Sequence, residues 1–530
     1  MSIILFFIDI LFLFWIIRNT LFWVALWQTK EYRFDRLIVH FKETRQGRGV
    51  LFSPLAILKW IALFVYGFVI WQTVPLLTYQ FFVSVLFILQ GFLVFKEFSG
   101  HVLKRPVLTH KAIIIVSLSL TVIFLLFFFP LLFEQLFWLL ILDRLLPLVV
   151  LFFVVMLSFP TEFYQDLQIQ KAMKKIRENK KLLVIGVTGS YGKSSTKEYI
   201  AQILGKKFRV LKTKGTNNTP IGIANTILSG LQKNTEIFVV EMGAYKRGEI
   251  AQMCEMVYPK IGVLTAVNDQ HLSLFGSLEN TMKAKYELID ALPKGGLALF
   301  NGNNSNACLL YEKTKTKKAL YASSKSVPAD ILASHVMVEK THVTFRILLK
   351  KKSLQMKTPL IGAHTIENIL PAVYIADYLG MLASEIKEAV AALIPLPKTM
   401  VRYESAGISI IDDTFNTNPE AVVAALQYMK IYKGKKIMVF QPMIELGIEA
   451  KAEHYRIGKA IGTMCDYLLL TNNNYYTEIH NGIKSTKRKC IVKTGGSVAH
   501  IVALINNFAK RGDVLVFEGK EAGLVLEKML

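Results

Sequence analysis

Five stretches in the first 160 residues, about 3–26, 54–73, 75–95, 112–132 and 135–158, are each apolar over a length that can cross a hydrocarbon core. No other feature restricts the fold of this chain as strongly. A bilayer offers no water to satisfy backbone N–H and C=O groups, and continuous rather than alternating apolar runs select helices over a barrel. Of the 530 residues, 52% are hydrophobic, and the excess lies in this N-terminal part. Beyond residue 160 the sequence is charged and punctuated by Gly and Asn, as globular domains are. The first stretch lacks a small-residue cleavage site, so it reads as a retained span and not as a signal peptide.

Charge orients the spans. The loop 28–53 carries Lys30, Arg33, Arg36, Lys42, Arg45 and Arg48, and the loop 96–111 carries Lys96, Lys104, Arg105 and Lys111. The connections near 74 and 133 carry neither Lys nor Arg. Basic loops stay in the cytoplasm, which puts the N-terminus outside and delivers residue 160 onward to the cytoplasmic side. A multi-pass protein of the cytoplasmic membrane is expected, with the lipid bilayer as a partner. Asp143 and Arg144 lie within the fifth span, where ionisable groups either serve a function or pair with polar groups on neighbouring spans. Lys59, near the cytoplasmic end of its span, is expected to snorkel to the surface. Residues 161–181 read as a basic amphipathic linker along the inner face.

Cys254, Cys308, Cys465 and Cys490 are far apart, which gives neither a disulfide framework nor a zinc site. The net charge of +24 raises the question of nucleic acid. No DNA- or RNA-binding module is legible, and anionic lipid or a phosphorylated substrate accounts for the charge, so nucleic acid is not expected as a partner.

The chemistry begins at residue 182. A short apolar strand runs into GVTGSYGKSST (186–196), followed by a helical pattern through Ile200 and Ile203. Thr188, Gly189, Ser190, Tyr191, Gly192, Lys193, Ser194 and Ser195 form a turn whose N–H groups can converge on phosphate oxygens, with a helix N-terminus behind them. In such a turn Lys193 reaches the β- and γ-phosphates of a nucleotide and the Ser194 hydroxyl coordinates magnesium. Glu241 closes the apolar run ending VVE, where an uncompensated carboxylate would be costly, so a cation partner is expected, a metal before others.

The form TGxxGKS resembles the Mur ligases, ATP-dependent enzymes that build the peptide of bacterial cell walls. Further stretches agree in order: KGTNNTPIG (214–222), VVEMGAYKRGEI (239–250), NDQHLSLFGSLENTMKAKYELI (268–289), GAHTIENIL (362–370), DDTFNTNPEA (412–421), IELG (444–447) and GDVLVFEGK (512–520). The resemblance covers about 181–530 and is nearest to the branch that adds D-alanyl-D-alanine. It implies that His271 holds a second Mg²⁺ and that Lys285 is carbamylated to help hold it. It also implies that Asn368, Asp413 and Asn416 contact ATP, and that Asn217, Asn218 and Asn418 contact substrate. Taken alone, His271 reads as a structural histidine and Lys285 as a solvated helix face. Val187 stands where the usual P-loop pattern has a glycine, and three positions depart from the family pattern: Thr365, Phe415 and the surroundings of Arg402. A membrane segment stands where ordinary members have a globular domain that grips the UDP-sugar.

The implied fold is α/β: a P-loop central domain (181–397) and a Rossmann-like C-terminal domain (398–530) parted by Pro395 and Pro397. An all-α transmembrane bundle of about five helices (1–160) and the linker (161–180) precede them. The implied reaction activates a carboxylate as an acyl phosphate and passes it to an amine. Its cofactors are ATP and two Mg²⁺ ions, and its partners are a cell-wall precursor peptide and an amino acid or dipeptide. A ligase acting on another polymer or lipid-linked precursor, and an ATP-driven transporter or scaffold, are the alternatives.

Overall fold

The computed structural model describes residues 2–43, 45–70, 73–100, 103–128, 134–215, 217–268, 275–324, 327–350, 352–443 and 446–530. Two compact units divide at Asp166 and Leu167.

The first unit is helical. Among the described residues, five helices are long and apolar enough to cross a membrane: Ile3–Thr29, Gly47–Ile70, Leu76–Ser99, His110–Phe127 and Gln135–Glu178. Their number and order agree with the expected spans. A short helix, Phe34–Glu43, joins the first two. Large apolar side chains such as Phe64, Phe81 and Phe92 are exposed on the outside of the helices, whereas Phe12, Val83, Ile115 and Leu146 fill the interior.

Inside that bundle Asp143 accepts from the Lys59 ammonium at 2.7 Å, the Arg144 guanidinium at 2.6 Å and the Trp15 indole. Lys59 is 1% exposed. Contrary to expectation, Lys59 does not snorkel, because a carboxylate on another helix supplies the counter-charge it needs in place of water. The structure thus favours pairing for Asp143 and Arg144, and the cluster ties three helices together.

In the second unit, the strands β1 (Leu183–Thr188), β2 (Val210–Lys212), β3 (Ile237–Glu241), β4 (Ile261–Leu264), β5 (Leu297–Asn301), β6 (Lys317–Ala322), β7 (Ile331–Val338), β8 (Val343–Leu349) and β9 (Lys352–Thr358) make one sheet. Its order is β2-β3-β1-β4-β5-β6-β7-β8-β9, parallel through β7 and antiparallel across β7-β8-β9. β1 and β3 are apolar and buried on both faces, as parallel strands covered by helices must be. The chain leaves β1 toward β2 and β3 on one side and later reaches β4 and β5 on the other, so the order reverses at β1. Ligands of open α/β sheets bind beyond the strand ends at such a reversal.

The second sheet comprises β10 (Val401–Ser405), β11 (Ile408–Asp413), β12 (Lys436–Phe440), β13 (Tyr467–Leu470), β14 (Ile491–Thr494) and β15 (Val514–Glu518). The order is β10-β11-β15-β12-β13-β14, with only the β10-β11 pair antiparallel.

The helix Ser158–Glu178 passes from one unit into the other. Toward its end, Ala172 and Ile176 join the apolar cluster of Leu182, Val184, Ile223 and Ile227, and Lys175 donates to the carbonyls of Ile227 and Leu228. The apolar face of this part of the linker is therefore covered by protein. Phe159, Phe163 and Tyr164, earlier in the same helix, stay exposed.

Candidate active site

β1 ends at Thr188, and the chain turns through Gly189–Gly192 into the helix Lys193–Leu204. Gly192 has φ 78° and Gly189 φ 151°, and a Cβ on either would overlap Asn368 Oδ1 or Thr265 Oγ1 respectively. Only glycine fits both positions. The turn is braced from β4's end: Thr265 N donates to Thr188 O, the Thr265 hydroxyl to Tyr191 O, and Ser190 N to Ala266 O at 2.6 Å. The Thr188 hydroxyl donates to Met242 O, which fixes β1's end against β3's. Ser195 is buried behind the turn, while the Ser194 hydroxyl makes no hydrogen bond among the described residues.

Two lysines meet this turn. Lys193 Nζ donates to Gly189 O at 2.8 Å and Ser190 O at 2.9 Å. Lys285, on the helix Leu278–Asp290, donates to the same Gly189 O at 3.0 Å and is 3% exposed. Burial pushes the Lys193 ammonium below the ordinary lysine range, against the pull of Glu241. Burial, and then the Lys193 charge, push Lys285 well below that range. Lys285 is thus no solvated helix face.

Glu241, at the end of β3 and 1% exposed, accepts from Asn218 Nδ2 at 3.0 Å and from Lys197 Nζ at 3.3 Å. The cation beside it here is a lysine of the chain itself. Lys197 lies one helical turn after Lys193, a spacing that could have signalled its place on the same face. A buried carboxylate beside the glycine turn suits a divalent cation, with the uncommitted Ser194 hydroxyl at hand. No three His, Cys, Asp or Glu residues converge on a metal-sized space among the described residues, and His271 lies outside them. Asn217 is exposed at the start of this loop, and Gly243 N donates to Asn218 O, which holds Asn218 in place.

Asn368, on the helix Thr365–Tyr378, reaches the turn and accepts from the Thr196 hydroxyl at 3.2 Å. Sequence reasoning missed Asn268, which links the two domains. It exchanges hydrogen bonds with Ser190 through its backbone, accepts from Asn304 Nδ2, and donates through Nδ2 to Glu420 of the C-terminal domain at 3.1 Å. Asn418 caps the helix Pro419–Met429 by accepting from Ala421 N, and Asn416 is exposed on the loop before it.

Asp413 lies on the second sheet. It ends β11 in register with Glu518 at the end of β15, and both carboxyls are buried. Asp413 is pushed up to about 7, first by burial, with the neighbouring Asp412 adding to the rise. Glu518 is pushed well above the carboxylate range by burial and by Asp413. Sequence reasoning missed Glu518; the strand pattern of GDVLVFEGK contained it, but only the register reveals its neighbour.

Comparison with known proteins agrees with this geometry. Residues 187–376 match the Mur ligase middle domain and residues 399–521 the Mur ligase glutamate ligase domain. The UDP-N-acetylmuramoyl-tripeptide--D-alanyl-D-alanine ligase of Bacillus subtilis is 29% identical over 353 residues, covering 66% of this chain and 75% of that protein. The ligase of the same name from Synechocystis is 30% identical over 359 residues, covering 66% and 74%. The crystal structure of MurF ligase from Thermotoga maritima in complex with ADP superimposes with a TM-score of 0.63 at 25% identity, covering 69% of this chain and 83% of that one. With a glycine turn at the reversal of the first sheet, two matched domains and relatives of this similarity, the chain belongs to the Mur ligase family of ATP-dependent peptide ligases.

Proposed function

We propose that this chain is a membrane-anchored ligase that joins D-alanyl-D-alanine to the terminal carboxylate of a muramoyl tripeptide at the cytoplasmic face. The observation that carries the reading is the meeting of Lys193, Lys285 and Asn368 at one glycine turn, with Glu241 at the neighbouring strand end. Relatives that carry this substrate in their names match 66% of the chain. Five apolar helices and the placement of Lys and Arg in two loops support the anchor and an outside N-terminus.

In the reaction, the peptide carboxylate attacks the γ-phosphorus of ATP, giving an acyl phosphate and ADP. The amine of the dipeptide then attacks the acyl carbon, and phosphate leaves with the former carboxylate oxygen. The turn N–H groups and Lys193 hold the phosphates and offset the charge gathering on the transferring group. To do so, Lys193 exchanges the Gly189 and Ser190 carbonyls for phosphate oxygens. Magnesium, when bound, supplies further positive charge at the β- and γ-phosphates. Glu241 and Ser194 would hold one ion, and His271 with carbamylated Lys285 a second. Lys285 is depressed toward the neutral amine, the form that adds CO₂. Asn368, Asp413 and Asn416 would position the nucleoside, and Asn217, Asn218 and Asn418 the substrates. The Asn268–Glu420 contact brings the second domain over the turn, where exclusion of water protects the acyl phosphate.

Mass analysis of products from full-length protein, MgATP, UDP-muramoyl tripeptide and D-Ala-D-Ala tests the reading. A pentapeptide formed only with all components supports it; ATP turnover without an amide product contradicts it.

A further inference from the structure

The membrane unit has been assigned only anchoring, yet its two basic loops do not lie apart. Gln28, at the end of the first span, accepts from Val107 N at 2.7 Å and donates to Val107 O at 3.0 Å, which pins the 96–111 loop against it. The Lys111 ammonium sits 4.5 Å from the centre of the Tyr32 ring. His40, on the helix Phe34–Glu43, is lowered to about 4 by burial and then by the charges of Lys30, from one loop, and Lys104, from the other. Cations distant in sequence therefore act on the same point in space. Some are already balanced: Arg33 pairs with Asp35 at 2.7 Å and Arg36 with Glu31 at 2.6 Å. Lys104 and Arg105 are exposed and make no ion pair among the described residues. Val107 and Leu108, at 73% and 77% exposure, follow them in the chain with apolar surface. Apolar side chains beside excess cations are the signature of a surface at the headgroup level of a bilayer.

We infer that the junction of the two basic loops, around Lys104, Arg105 and Lys111, binds the diphosphate of the acyl substrate. The inference rests on the ligase reading above, in which the muramoyl peptide is carried on a diphosphate. The family match begins at residue 187, so the matched domains leave this group without an assigned binder. A diphosphate carries two or more negative charges in a compact group, and the adjacent Lys104 and Arg105, with Lys111 of the same loop, answer it better than scattered surface lysines. The same diphosphate chemistry occurs on a soluble nucleotide and on a membrane lipid.

The test uses full-length protein in phosphatidylcholine nanodiscs and reads binding without turnover. One arm dopes the discs with a polyprenyl diphosphate; the other adds UDP-muramoyl peptide from solution. Phosphatidylglycerol at equal total charge is the control. We expect binding in one arm to exceed the control, and the Lys104→Gln/Arg105→Gln/Lys111→Gln variant to lose about tenfold or more in that arm. The lipid arm alone identifies a lipid-linked substrate, and the solution arm alone a nucleotide-linked one. Unchanged thermal unfolding and insertion show that the variant is folded. Equal binding by wild type and variant in both arms overturns the inference, as does binding no tighter than to phosphatidylglycerol. Because no amide need form, loss of the ligase reading leaves this result separately legible.

Discussion

The side-chain ammonium groups of Lys193 and Lys285 converge on a single acceptor, the carbonyl oxygen of Gly189, at 2.8 and 3.0 Å. Two full positive charges at that separation in a buried turn repel, and the more deeply buried lysine gives up its proton more readily. Under the proposed reaction, one residue is thereby kept for phosphate and the other made available for CO₂. Ligation in buffers stripped of CO₂ is expected to fall and to recover on adding bicarbonate. The Lys285→Ala variant should be weak and indifferent to bicarbonate; a wild-type enzyme unaffected by CO₂ removal would contradict the assignment.

Under the proposed reaction, Lys193→Ala removes the cation that would offset charge on the transferring phosphoryl group. Turnover should drop by about 10²- to 10³-fold or more, with far-UV circular dichroism and membrane insertion unchanged. Near-normal turnover would remove Lys193 from the site.

Glu241→Gln has two readouts. It removes one of the two carboxylates that face the buried Lys197, leaving Glu198 at 3.6 Å, which should cost about 1.5–3 kcal/mol and lower the melting temperature of the catalytic unit. It should also raise the magnesium concentration needed for half-maximal rate. A double variant, Glu241→Gln with Lys197→Met, should regain stability without regaining the metal response.

The sequence made some of this legible and hid the rest. Apolar runs of span length and the turn GVTGSYGKSST each state a local physical need, so the five helices and the strand–turn–helix could be placed from residues alone. The partners Asn268, Glu518 and Lys59 could not. Each acts across a distance in sequence that only strand order or helix packing closes, as Lys59 with Asp143 across 84 positions shows. Lys59 also looked like a snorkelling residue because its depth was legible and its partner was not.

The Asp413–Glu518 pair makes stability fall as pH rises. Both acids hold protons in the folded state at pH values where an unfolded chain has lost them, so the folded state binds more protons above about pH 4. Stability is lost from there through pH 7, as Asp413 ionises near about 7 and Glu518 above its ordinary range. Glu518→Gln should flatten this slope and raise the melting temperature at pH 8 by about 2 °C or more, with little change at pH 5. Equal slopes in the two proteins would contradict the pairing.

The central claim is that a peptide carboxylate is phosphorylated before the amine attacks. A muramoyl tripeptide labelled with ¹⁸O in its terminal carboxylate tests it most directly, with inorganic phosphate collected after ligation to D-Ala-D-Ala. The account predicts one ¹⁸O in each phosphate released, because the oxygen that attacked phosphorus leaves with it. Unlabelled phosphate, formed at the same rate with or without the amine, would contradict it.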